Sequence, residues 1–485
     1  MLFNSIEYMI FLFIVVCFYY FSAHKYRAIF LLIASYIMYI SWIPKDLLIV
    51  LGLTGVSYLT ARILNYVDKI FVKKIILSVG IIGCAGCLII FKYLNFFINV
   101  CNDIITDKSA YLNPINLISP VGLSFFTLQA IGYMIDIYRG KYYPEKNYII
   151  YSLFMSFFPQ MAAGPIARGS DLIPQYRSLP KKVGLDTIKN GLYLILIGCF
   201  KKIVLADALS LYVNGVYGNL ADVSGFSVFF AIILYSMQIY FDFSGYSDIA
   251  IGSAQLFGID LMVNFNIPYV AVTFKEFWGR WHISLSSWFK DYIYIPLGGG
   301  KKGKIRKLLN VLIIFIISGL WHGAAWTFVI WGLLHGVYRV LEEIFENKKI
   351  NNSVKRIFVF ACVSIAWIFF RAENLNHAYS IIKALGNNWS VVQLVNDFKF
   401  ILNNATFASV IWCYFYLITV SAALYIVLKI DFTCVKNNIK NSIVILEKWK
   451  NKKLLVYYMG MTIIFYYILG NGIFSQAGQF IYFNF

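Results

Sequence analysis

The sequence predicts an all-α polytopic membrane protein, with about twelve membrane spans plus re-entrant and interfacial helices, and three observations predict it. Of its 485 residues 60% are hydrophobic and 13% charged, against roughly a quarter charged in a soluble domain. Mean hydropathy is +0.70. Long runs with almost no charge, such as 6–22, 29–43 and 308–320, match or approach the length that crosses a bilayer. A soluble fold would have to bury all of them against one another, and the polar residues to cover them are lacking.

The formal charge of +19 does not point to nucleic acid. Lysines and arginines fall between the apolar runs, as cytoplasmic loops of polytopic proteins require, and no aromatic-plus-basic sheet pattern or zinc spacing accompanies them. The bilayer is the expected partner, and nucleic acid is not.

The elements follow from that alternation. Residues 6–22 lack a basic leader and a small-residue cleavage site, so they read as a span. Basic stretches at His24 to Arg27, Arg62 to Lys74 and Arg139 to Lys146 alternate with poorer connections at Pro44 and at 102–116. This places the N-terminus outside, with five spans before Arg139. Residues 148–163 are apolar but short and basic on both flanks, which suits a re-entrant segment packed inside protein. Residues 185–205 form a span, the 214–224 loop is external, and 226–257 returns inward. The basic stretch 274–307 carries Trp278, Trp281 and Trp288, as expected of cytoplasmic interfacial helices. Residues 308–345 would run about 57 Å as one helix, nearly twice the hydrocarbon core. With basic flanks on both sides they form a hairpin turning near Trp321-His322-Gly323. Spans at 357–370, 407–428 and 454–469 follow, and the C-terminus returns outside. There is no internal repeat, soluble domain or linker, so residues 1–485 read as a single membrane-embedded domain with core motifs at 117–345 and an aromatic tail at 475–485.

Candidate chemistry is sparse. The cysteines sit mostly in apolar runs, and Cys84/Cys87 lack the soluble context of a redox C-x-x-C. Of the five histidines, His24 reads as solvated in a basic loop, His377 as part of an external polar loop, and His335 as a helix-packing residue. His322 lies at the hairpin turn, where an ionisable side chain in the membrane suggests function. It is either a general base or a structural imidazole bonded to a facing carbonyl. Gly323 beside it admits a substrate or a neighbouring helix closely. His282 lies in the interfacial stretch. Asp136, Asp242 and Asp248 sit inside apolar runs, and interhelical hydrogen bonding to Ser, Tyr or Arg is favoured over a proton path.

The segment Gly298 to Lys304 meets G-x-x-x-x-G-K, but Ile305 occupies the magnesium-binding position, so it is not a nucleotide loop. Lys301, Lys302 and Lys304 could still hold the phosphates of a soluble donor, although positive-inside charge explains them without function. No nucleophile elbow or H-E-x-x-H is present. Transfer from an already activated thioester with one histidine as base fits what remains. No metal is called for.

Six stretches in order resemble the membrane-bound O-acyltransferase family, in its alginate and peptidoglycan O-acetyltransferase branch. They are Pro120 to Phe126, Phe158 to Ile166, Gln238 to Asp248, Phe277 to Ser286, Tyr294 to Gly299 and Leu320 to Gly323, and the resemblance covers essentially the whole chain. It implies a ring of helices around a central funnel. It also implies His322 as the catalytic histidine with His282 as the second, and acetyl-CoA as donor without a tightly bound cofactor. The acceptor is implied to be a cell-envelope polysaccharide, reached with a secreted or membrane-anchored SGNH-type acetyltransferase at the bacterial cell membrane. A related branch exports D-alanine toward teichoic acid with a separate small tail protein. This chain instead continues past Arg371 and ends in its own tail, 480–485. Tyr482 there is either an interfacial anchor or, given the resemblance, a transient acyl acceptor. A transporter of acylated substrate is the alternative from another class, but its usual repeated halves are absent.

Overall fold

The computed structural model describes residues 1–105, 107, 111–115, 117–161, 164–345, 350–404 and 481. The expected spans 407–428 and 454–469, the loop between them, and the tail other than Ile481 lie outside the described residues, and Tyr482 with them.

All regular structure among the described residues is helical. The N-terminal helices are α1 (Ile6–Phe21), α2 (Arg27–Ile40) and α3 (Leu47–Tyr66). Next, α4 (Ile70–Leu88) runs through a π turn into α5 (Leu94–Ile104), and α6 (Leu123–Tyr138), α7 (Tyr148–Ser156) and α8 (Gly169–Arg177) follow. A second π turn joins α9 (Leu185–Cys199) to α10 (Asp207–Gly218), and α11 spans Gly225–Gln255. Two short helices come next, α12 (Phe274–Arg280) and α13 (Ile283–Phe289). The remainder are α14 (Lys304–His322), α15 (Trp326–Ile344), α16 (Asn352–Arg371), α17 (Leu375–Ala384) and α18 (Val391–Asn404).

Five helices among the described residues are long and apolar enough to cross a membrane: Pro44–Tyr66, Ile70–Ile104, Gly225–Gln255, Lys304–His322 and Asn352–Arg371. The chain is therefore a multi-pass membrane protein. Ile75, Val79, Ile82 and Ile89 leave one face of the 70–104 helix open, and a stripe at that spacing is stable only against lipid or another apolar surface. Helix α7 has nine residues, about 13 Å at 1.5 Å per residue, less than half the hydrocarbon thickness. The non-helical residues 157–161 after it are all buried, as irregular backbone at membrane depth must be.

The described residues cluster into two compact units. The first contains residues 1–192, 250–263 and 284–299. Within it Tyr8 donates to Ser253 Oγ at 2.9 Å and Tyr19 to the Phe257 carbonyl at 3.1 Å. Asp136 accepts from Tyr292 Oη at 2.7 Å and pairs with Lys141, the interhelical hydrogen bond its sequence position suggests.

The second unit contains residues 193–249, 264–283 and 300–485, and α14, α15 and α16 pack in sequence within it. The hairpin expected over 308–345 is present as α14 and α15, with the break at 323–325. The two helices touch backbone to backbone: a Cβ on Gly319 would lie 2.2 Å from the Phe328 carbonyl oxygen, and one on Gly332 2.2 Å from that of Phe315.

Three expectations change. Trp281 and Trp288 are buried inside protein rather than sitting at a lipid interface. Trp281 stacks on Phe277 and meets Trp367, while the Trp288 indole donates to the Leu128 carbonyl. His377 is helical, in α17, its ring edge-on to Tyr217. Asp242 and Asp248 are held by Lys202 and Lys201, because the span read at 185–205 carries two lysines that turn inward.

Candidate active site

The site lies wholly within the second unit and begins with the ends of helices. Helix α14 stops at His322 because Gly323 takes extended backbone, φ −160° and ψ 147°, while its N–H donates to Gly319 O at 3.2 Å. Alanine would adopt the same dihedrals. What demands glycine is the Phe328 ring, which would lie 2.1 Å from a Cβ there. The close approach anticipated at Gly323 is thus made by a side chain of the returning helix.

His322 is 3% exposed and boxed by aromatic rings. Trp321 and Trp331 lie at 4.9 Å between centroids and Phe370 at 5.5 Å, all near edge-on. Such edge-to-face contacts fix orientation as well as excluding water. Behind them Trp331 stacks on Trp367, and Trp367 meets Trp281. Trp367 Nε1 donates to Tyr269 Oη at 3.2 Å, and Tyr269 donates to the Ser236 carbonyl.

His282 reaches the same place from the short helices. Thr273 caps α12 by accepting from Glu276 N, and Glu276 in return accepts from Val272 N, a variant of the reciprocal capping box. Glu342 of α15 accepts from the N–H groups of Phe274 and Lys275, so the helix preceding His282 is tied to the one following His322. His282 itself takes left-handed backbone, φ +44°, rare for a residue with a side chain. The turn it makes is pinned by Ile283 N donating to Asn264 O at 2.9 Å and Asn266 N donating to Arg280 O at 2.8 Å.

The two imidazoles lie edge to face, with centroids 6.4 Å apart and planes at 61°. His282 is fully buried, and burial pushes its pKa down to about 3, so the ring is neutral at physiological pH. Its Nδ1 lies 3.2 Å from Asn264 Oδ1. An amide oxygen only accepts, so the proton sits on Nδ1 and the lone pair on Nε2. Asn264, also fully buried, donates from Nδ2 to Ser247 Oγ at 3.4 Å, and Phe243 closes the other side of His282 at 4.7 Å. Beside a neutral imidazole whose tautomer is set by a buried amide, the His322 ring can accept a proton from a hydroxyl and return it to a leaving group.

The lysines stand elsewhere. Lys301, Lys302 and Lys304 are exposed, beside a glycine turn that uses positive φ at Gly299 and Gly303. Lys304 opens the nineteen-residue helix that His322 closes, which separates them by about 27 Å along the axis. Lys304 is thus out of reach of His322. His335 is fully buried and ringed by Phe277, Trp278 and Trp331, the packing position expected of it. His24, read as solvated, is exposed but lies 2.6 Å from the Leu179 carbonyl.

Asn264 carries no motif of its own and is not apparent from the sequence. Lys201, Lys202 and Asp207 leave one signal there, as charges in or beside an apolar run. Among the described residues no three of His, Cys, Asp and Glu gather as metal ligands.

The membrane-bound O-acyltransferase family profile matches residues 145–381, a range that includes both histidines. The chain is 34% identical to a peptidoglycan O-acetyltransferase of Helicobacter pylori, over 73% of each chain. It is 36% identical to a probable alginate O-acetylase, AlgI, of Pseudomonas putida over 78% of each. A teichoic acid D-alanyltransferase of Bacillus subtilis is 29% identical over 56% of this chain and 70% of its own. With the helical membrane architecture and the neighbouring histidines, these similarities show that the chain belongs to the membrane-bound O-acyltransferase family and is a membrane-bound acyl-transferring enzyme.

Proposed function

We propose that the protein transfers an acetyl group from cytoplasmic acetyl-CoA across a bacterial cell membrane toward hydroxyls of an extracellular or periplasmic polysaccharide, alginate-like or peptidoglycan. The observation that carries the reading is the neighbouring pair His322 and His282, both buried inside an aromatic box. Acetyl transfer is preferred to D-alanyl transfer because the acetyl-transferring relatives align over more of this chain.

His322 is the general base. It takes the proton of an attacking hydroxyl as that oxygen adds to the thioester carbonyl, and gives it to the departing CoA thiolate when the C–S bond breaks. The first acceptor is the Tyr482 phenol, which becomes an aryl acetate. A polymer hydroxyl, presented by a secreted or membrane-anchored SGNH-type partner, then displaces the phenol and takes the acetyl group. Lys301, Lys302 and Lys304, remote from His322, meet the donor's phosphates as point charges.

The test is polymer acetylation in cells carrying His322→Ala or Tyr482→Phe, with protein levels in the membrane matched. Both variants should lose it, the first by roughly 10²–10⁴-fold in rate. Wild-type acetylation in His322→Ala would end the base assignment, and in Tyr482→Phe the relay. D-alanine released from the polymer in place of acetate would assign the related branch.

A further inference from the structure

One residue of the C-terminal tail is described, and it is bonded to a buried charge cluster. Lys202 Nζ lies 2.6 Å from Asp242 Oδ1 and 2.7 Å from Asp207 Oδ1. Lys202 and Asp242 are almost wholly buried. Beside them Lys201 pairs with Asp248 at 2.8 Å. Around Lys202, two carboxylates share one ammonium, which leaves an acceptor in excess. The Oδ2 of Asp242 takes its donor from 239 residues away: the main-chain N–H of Ile481, at 3.0 Å.

The arrangement has a chemical logic. A buried carboxylate needs each lone pair met, and a second cation at Oδ2 would bring its own desolvation penalty. A backbone amide satisfies the oxygen without another charge, and hydrogen bonds to ionised acceptors are among the stronger ones. Because the donor is the main chain, the contact does not depend on which side chain stands at 481. The surroundings join the cluster to the histidines. Asp242 is followed by Phe243, whose ring packs on His282, and Ser247 one turn further accepts from Asn264. The stretch of α11 that supports His282 therefore also holds Ile481.

We infer that the Lys202–Asp242–Asp207 cluster is the dock of the chain's own C-terminal segment. Lys202, itself fixed by Asp207, orients the Asp242 carboxylate, and Asp242 Oδ2 sets the register of the tail by gripping the amide of Ile481. Asp242 is a positioning residue in this role and takes no part in bond making. The dock has catalytic meaning through the proposed relay, since Tyr482 is the next residue in the sequence, but its existence does not depend on that relay.

Hydrogen exchange of the C-terminal peptide, measured by mass spectrometry on the full-length protein in lipid nanodiscs, tests the dock from both sides. Ile481→Pro removes the donor, because proline has no N–H, and leaves the helical body untouched. Asp242→Leu removes the acceptor. Both should speed exchange of the tail amides about tenfold or more, while Ile481→Val, which keeps the N–H, should exchange like the wild type. Tail exchange at the wild-type rate in Ile481→Pro would overturn the dock, and that variant decides alone if Asp242→Leu does not fold. Tyr482→Phe separates the two ideas: its tail should stay protected, and if it still acetylates polymer the relay fails while the dock stands.

Discussion

Gly323→Ala is the sharpest probe of how the fold holds His322. The added Cβ would stand 2.1 and 2.2 Å from two carbons of the Phe328 ring, where unstrained carbon–carbon contacts lie at about 3.5–4.0 Å. Something must therefore move by roughly 1.5 Å. The backbone at residue 323 is extended, φ −160°, so alanine adds no dihedral strain and the effect is steric alone. Phe328 is 6% exposed and edge-on to Phe370 at 5.1 Å, and Phe370 in turn packs on His322. Displacing either the ring or the helix end shifts the imidazole. On the proposed base role of His322, a misplacement of about 1 Å can cost about 10²-fold, so kcat for the proposed acetyl transfer should fall roughly 100-fold. The KM for acetyl-CoA should change little, since the lysines lie at the far end of α14. The assay is acetyl-CoA turnover by purified protein in nanodiscs. Gly323→Ala/Phe328→Leu, which makes room for the new methyl, should recover much of the loss. Full activity in the single variant, or no recovery in the double, would refute the steric reasoning.

Three further predictions rest on separate observations. Asn264→Leu removes the amide oxygen 3.2 Å from Nδ1 of His282, and losing a partner of a buried polar group costs about 1–3 kcal/mol. If that cost falls on the transition state, kcat should drop about tenfold or more, and a wild-type kcat would free His282 of any need for that tautomer. Burial pushes the His282 pKa down to about 3, whereas in the unfolded chain it is about 6.5. Between these values the unfolded state binds the extra proton. The stability from keeping the ring neutral is thus complete above about pH 6.5 and is lost toward pH 3, at up to about 1.4 kcal/mol per pH unit. The thermal midpoint of the wild type should fall faster than that of His282→Phe from pH 7.5 to 5, and parallel profiles would contradict the assignment. Replacing Lys301, Lys302 and Lys304 with Glu should raise the KM for acetyl-CoA more than it lowers kcat, with the effect shrinking at high salt. An unchanged KM would return these lysines to topology alone.

Much of the architecture was legible because membrane insertion leaves coarse marks. The hairpin of α14 and α15 followed from a 38-residue apolar stretch with basic residues on both flanks. The brevity of 148–163 followed from simple length, and α7 with its buried irregular continuation fits it. His322 stands out as a candidate because a histidine is conspicuous in an apolar run, and the structure buries it at the hairpin turn. What stayed hidden depends on contacts distant in sequence. Nothing near Asn264 announces that it will meet His282, eighteen residues on. The tryptophans of 278–288 look interfacial by composition, yet Trp281 and Trp288 are buried by partners on other segments. Lys201 and Lys202 lie inside the span expected at 185–205, and only Asp242, Asp207 and Asp248, distant or beyond its end, reveal why the charges point inward.

The most direct measurement is a single turnover of purified protein with acetyl-labelled acetyl-CoA, quenched in acid and mapped by mass spectrometry of the C-terminal peptide. Acetyl should appear on Tyr482 in the wild type before any transfer to polymer. In His322→Ala almost none should form, at a rate lower by roughly 10²–10⁴-fold. Acetyl on Tyr482 at the wild-type rate without His322, or polymer acetylated while Tyr482 never carries the group, would overturn the proposed relay.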